Sequence, residues 1–188
     1  MREVLERLSS CVVIESELRV KIFTPASMCD KWPDRKDLIR FRGRLVRVDD
    51  YGLQSRKVVT TAGVNFLVAV WTGVGTLGNM KFHGIGRGSG AESSGDTLLG
   101  TELTTEYNPD NTRATGSTVV GASNNIIKSV GTNTLDGNPA SAIQEHGLFS
   151  SSASGATTLW DRSLIGPFTM SSGQSIQTEY DGTFAAGG

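Results

Sequence analysis

The chain is 188 residues long, enough to bury a sizeable core, and its formal net charge is −1. That balance excludes a global pull toward nucleic acid or an anionic membrane surface, and no apolar run is long enough to cross a bilayer. Two cysteines, Cys11 and Cys29, are too few for a disulfide scaffold or a zinc cage and read as free thiols of a reducing cytosol.

Charge is unevenly distributed. Residues 1–57 hold 13 Lys and Arg against 9 Asp and Glu, whereas residues 58–188 hold 5 against 10. Of 23 glycines only Gly43 and Gly52 fall in the first part, so turns concentrate in the second, as in an all-β domain of short strands. These shifts predict a basic N-terminal arm with strands over 1–57 and a β-sandwich body over 58–188.

In chain order, Met1 to Leu8 is charged and lacks the apolar core of a secretory signal, so synthesis in the cytoplasm is expected. Val4, Leu5 and Leu8 fit one side of a helical turn or two, too short to stand alone. Val12 to Phe23 alternates apolar with charged residues and predicts a strand. Thr24 to Arg40 loses the pattern; it reads as a solvated loop or as an extended arm anchored on a partner by Trp32. Phe41 to Val48 reads as a strand on which Arg40, Arg42 and Arg44 form a basic stripe on one face, with Arg47 beyond. There is little aromatic interleaving for single-stranded nucleic acid, so an acidic protein surface or solvent is the expected neighbour.

Thr60 as N-cap, the i, i+3, i+4, i+7 spacing of Val64, Leu67, Val68 and Trp71, and Gly73 after them predict an amphipathic helix packed across a sheet, with a buried strand the alternative for so valine-rich a run. Met80 to Ile85 predicts a strand. It runs into Gly86-Arg87-Gly88-Ser89-Gly90-Ala91, a match to the dinucleotide fingerprint without the helix that motif requires, hence a flexible loop. Tyr107 to Asn111 is a turn by chemistry. Strands follow at Thr112 to Val120, Asn125 to Gly131 and Ala140 to Phe149. Leu164 to Thr169, interrupted by Pro167, is expected to pair with the last strand, in which Ile176, Thr178, Tyr180 and Phe184 share one parity. The core expected is Trp71, Phe82, Leu148, Phe149, Ile176, Tyr180 and Phe184. Met80 to Ile85 and Ile143 to Leu148 share a His-Gly-aliphatic echo and are expected at equivalent places in two sheets. The fold class is therefore mainly β: an antiparallel, jelly-roll-like sandwich with one short packed helix and an N-terminal arm.

Chemistry is poorly signalled. His83 and His146, the only histidines, combine with Glu145, Asp161 or Asp96 into an imaginable two-His, one-carboxylate site, but no spacing requires it. No serine sits in a nucleophile elbow and neither cysteine neighbours a base motif. No catalytic, metal or cofactor-binding residue is assigned, and the chain does not read as an enzyme.

Six runs nevertheless carry a resemblance: Thr60-Thr61-Ala62-Gly63-Val64-Asn65-Phe66, Lys81-Phe82-His83-Gly84, Glu102-Leu103-Thr104-Thr105-Glu106-Tyr107, Asn111-Thr112-Arg113-Ala114-Thr115-Gly116, Glu145-His146-Gly147-Leu148-Phe149-Ser150 and Asp161-Arg162-Ser163. In that order they resemble a family of tailed-bacteriophage virion structural proteins, over about Val58 to Gly188. The resemblance implies a β-rich body ending in a strand and a small Gly tail, as in Ala185-Ala186-Gly187-Gly188. It also implies a place on the capsid surface as a cement, or decoration, protein, often a homotrimer, that bridges major capsid protein subunits. A tail or tail-fibre component binding a host surface glycan is the alternative. Neither role involves a cofactor, nucleic acid or a membrane. Trp32, Arg40, Arg42, Arg44 and Arg47 are the expected partner contacts.

Overall fold

The computed structural model describes residues 12–29, 37–56, 58–155 and 157–186. Besides two single-turn 3-10 helices, the described residues form β1 (Val12–Pro25), β2 (Leu38–Phe41), β3 (Arg44–Arg56), β4 (Val58–Val59), α1 (Thr61–Trp71), β5 (Phe82–Gly86), β6 (Ala114–Thr115), β7 (Val119–Val120), β8 (Ile126–Thr134), β9 (Ile143–Phe149), β10 (Leu159–Phe168) and β11 (Ser175–Ala186). They form two antiparallel sheets in sandwich-like arrangement, one ordered β2-β3-β1-β11-β8-β7 and the other β4-β10-β9-β5-β6. The pairings nest, β1 with β11 and, inside them, β4 with β10, which is how a roll wraps.

Alternation explains the first sheet. On β1, Leu18, Val20 and Ile22 are buried, and on β11 Ile176, Thr178 and Tyr180, each facing the second sheet. The second sheet is buried on both faces. Ile85, Leu148, Trp160 and Ile165 line the space between the sheets, while Phe149, Leu159 and Leu99 form a smaller cluster with Phe82 against them. Loops between residues 87 and 113 and between 150 and 158 supply the second cover, so β9 reads as a nearly continuous buried run.

Several expectations change. The segment read as an arm contributes β1 to the middle of the six-stranded sheet, between β3 and β11, so its described strands share one sheet with the body. β10 does not pair with β11; it crosses to the other sheet and pairs with β9 and β4. Pro167 sits where the β10 ladder with β9 is irregular, the place a residue without an N–H is tolerated. The His-Gly echo lies in one sheet rather than two: β5 and β9 are neighbours with Gly84 opposite Gly147. The predicted strand at Thr112 to Val120 is reduced to β6 and β7, each two residues long.

The helix forms where predicted, with the Thr60 hydroxyl accepting from the Gly63 N–H at 3.0 Å. Its orientation is not the one expected. A Cβ on Gly63 would lie 2.6 Å from the Trp160 carbonyl oxygen, so α1 approaches the β10 backbone closely at this glycine. Phe66 and Leu67 then turn toward the core, while Val64, Val68 and Trp71 face out. Trp71, expected in the core, is 86% exposed. Of the other expected core residues, Leu148, Phe149, Ile176 and Tyr180 are buried, and Phe82 and Phe184 are partly buried against the two clusters.

Candidate functional site

Ionisable side chains meet inside the fold, and their accessibility decides what they can do. His83 and His146 come together because Gly84 pairs with Gly147, which places the histidines diagonally on the inner face of β5 and β9. His83 Nδ1 is 3.0 Å from His146 Nε2 and 2.9 Å from Thr178 Oγ1, and His83 Nε2 is 2.8 Å from Ser129 Oγ. Serine, histidine and histidine in line have the distances of a nucleophile and base relay. All three are sealed between the sheets, however: the His83 ring lies over Gly131 and Gly116, where a Cβ would approach it to 2.4 and 2.6 Å. Burial holds His83 neutral, its pKa lowered to about 3, and pushes His146 well below the usual histidine range, with His83 adding to the effect. The relay has no route to a substrate and acts as core.

Glu145, next to His146, points to the opposite face of β9. Its carboxylate accepts from the backbone N–H groups of Gly88 (2.8 Å), Gly100 (2.9 Å) and Thr101 (2.7 Å), and pairs with Arg162 at 2.9 Å. Arg162 also reaches Asp96 and the Gly90 and Ala91 carbonyls. The glycine-rich segment is thus a tied loop, not a phosphate cradle. Arg113 forms a second tie. It pairs with Glu102, donates to the carbonyls of Ser151, Ala153 and Gly155 and to Thr157 Oγ1, and stacks on Phe149 with its guanidinium carbon 3.5 Å from the ring centroid. Asp161 accepts from Ser16 and Ser163. The imagined two-His, one-carboxylate site is therefore not assembled, since Glu145, Asp161 and Asp96 are each engaged away from the histidines. Among the described residues no group of three or more His, Cys, Asp or Glu could hold a metal ion.

The accessible chemistry lies at the β2–β3 hairpin. Arg42 and Gly43 form a two-residue loop closed by the Phe41–Arg44 pair, with φ of 48° and 80°. Two positive φ values mark a type I′ turn, which favours Asn, Asp or Gly at both positions; an arginine in the left-handed region costs about 1–2 kcal/mol. Arg40 and Arg44 stand on either side, Arg40 donating to the Gly43 carbonyl at 3.2 Å. Among the described residues none of these three guanidinium groups has a carboxylate partner, whereas Arg47 is paired with Asp49 at 3.0 Å. The three arginines thus surround a hairpin tip rather than striping one strand face.

Beneath the tip, Phe23 and Phe41 stack with centroids 4.1 Å apart, and Arg42 lies 5.5 Å from the Phe41 centroid. Arg42 and Arg44, with Asn108, Thr134 and Ser175, line a cavity of about 380 Å³ over these rings. Arg42, Asn108 and Thr134 also border a second cavity of about 200 Å³ that reaches Thr112 and Thr115, so one basic groove runs from the hairpin toward β6. No known protein family, characterised protein or solved structure that we compared matches this chain. Of the expected contacts, Arg42 and Arg44 line the groove, Arg40 lies beside the turn but borders a separate hollow with Ser27 and Leu45, Arg47 is paired with Asp49, and Trp32 lies outside the described residues. The polar lining from Asn108, Thr134 and Ser175 carried no sequence signal, because it comes from three separate segments.

Proposed function

We propose that this chain is a phage capsid cement protein that binds the outer surface of the head, bridges major capsid protein subunits as a homo-oligomer, and uses the β2–β3 hairpin as its electrostatic contact. The observation that carries the contact is Arg42, held at a positive-φ position where Asn or Gly costs less, beside two further guanidinium groups that have no carboxylate partner among the described residues. An arginine kept there at a conformational cost is best explained by what its guanidinium binds: carboxylates on the facing surface, engaged in the planar, two-pronged way that arginine allows. The shell as partner rests on the resemblance of residues 58–188. Buried polar ties that fix the loops, together with a helix face left apolar, suit a protein that adds stability by association rather than by turnover.

A second reading has one feature in its favour. Asn108, Thr134 and Ser175 beside Arg42 offer the hydroxyl and amide groups that a sugar acid would take, as in a tail component binding a host surface glycan.

The test mixes purified protein with expanded heads lacking it and follows co-sedimentation and head melting temperature, for wild type and Arg42→Asn. Asparagine suits the turn, so the variant keeps the fold's stability. Saturable binding that raises the melting temperature, is weakened by salt and falls at least ~10-fold in the variant is expected. Wild type that binds no head form would overturn the capsid role, and wild type that binds acidic glycan instead would move the protein to the tail.

A further inference from the structure

The helix α1 is rotated about its axis relative to its sequence pattern, so that of Val64, Leu67, Val68 and Trp71 only Leu67 packs on the core, and what it shows to the outside is apolar. Val64 is 46% exposed, Val68 56%, Trp71 86% and Val74, just past the helix end, 84%. Val64, Val68 and Trp71 follow one another at i, i+4 and i+7 and so form a stripe along one side. Large apolar side chains scattered singly on a surface are ordinary; three along one helix side and a fourth just past its end, including a tryptophan almost wholly in solvent, mark an interaction surface.

Charge narrows the occupant. From Thr60 to Met80 the chain contains no Asp, Glu, Lys or Arg. An anionic membrane surface attracts helices whose polar face is rich in Lys and Arg, and this one offers none. A strongly charged partner finds nothing to pair with. A second copy of the same face meets neither like charge nor an unpaired ion, and an identical apolar stripe is its own complement. Area agrees. At their exposures the four side chains present on the order of 500 Å², so two copies face to face remove up to about 1,000 Å² from water, which reaches the threshold for a specific interface.

We infer that α1 is where copies of this chain meet, the Val64, Val68, Trp71 and Val74 stripe of one packing on that of another. The inference is independent of the capsid reading. It concerns what the chain does to itself, and it holds whether the arginine hairpin faces a shell, a glycan or solvent.

Sedimentation equilibrium of the full-length protein tests it, with Val68→Glu and Trp71→Ser as variants. Both side chains are more than half exposed, so the folded protomer tolerates the changes; an unaltered thermal melting curve at high dilution checks this. The expected result is wild type at a multiple of the 20.0 kDa chain mass and variants at a single mass, with dissociation shifted at least ~100-fold in concentration. Wild type that stays monomeric at about 100 μM would overturn the inference, including a monomer that instead floats with lipid vesicles. An oligomer unmoved by either substitution would overturn it too, since the copies would then meet elsewhere.

Discussion

At the scale of single residues, burial determines which charges are free to act. Glu145 looks like a candidate for chemistry in the sequence, yet it spends its hydrogen-bonding capacity on neighbouring loops, as Arg113 does. Such ties are strongly specifying, because removing one partner leaves a buried charge uncompensated. The histidine pair lacks a charged partner and therefore makes stability depend on pH. Both imidazoles are held neutral by burial, with pKa values below that of the unfolded chain, so below about pH 6.5 the unfolded state binds protons that the folded state refuses. Stability should be flat with respect to these groups above that pH and fall by about 1.4 kcal/mol per pH unit per histidine below it. Urea unfolding at pH 7.5 and 5.0 should differ by about 2 kcal/mol per histidine, and an unchanged midpoint would contradict the neutral, buried pair.

At the scale of elements, close approach overrides periodicity. The i, i+3, i+4, i+7 pattern of α1 points correctly to a helix but to the wrong buried side, because it counts apolar residues and ignores Gly63. The absence of a side chain there lets the helix rest on the Trp160 backbone, and that contact sets its rotation. Gly63→Ala should force the helix outward and destabilise the fold by about 1–3 kcal/mol despite alanine's better helix propensity. Thermal unfolding measures the loss, and a variant as stable as wild type would show that the close contact is not binding on α1. The β2–β3 hairpin shows the same limit: the arginines were legible, but the turn that parts them was hidden, since Arg42 is not a residue that announces a type I′ loop.

At the scale of the whole molecule, the first strand is structural. β1 lies between β3 and β11, with Leu18, Val20 and Ile22 in the core, so a chain of residues 58–188 alone would lose three strands and expose one side of β11. Expressed by itself it should fail to give a cooperative thermal transition, and a two-state, native-like melt from that fragment would restore the division into arm and body. The sequence by itself determined the elements whose signals are local: the alternation of β1 and β11, the capped helix, the glycine-rich turns and hence the β class. It also placed three arginines within five residues of one another. Only the tertiary structure decided that the N-terminal segment belongs to the sheet, that β10 and β11 part company, that the histidines are sealed, and that Trp71 faces out. Strand order, burial and groove lining are set by contacts between residues distant in the chain, and periodicity reports only which side chains share a face, not what that face meets.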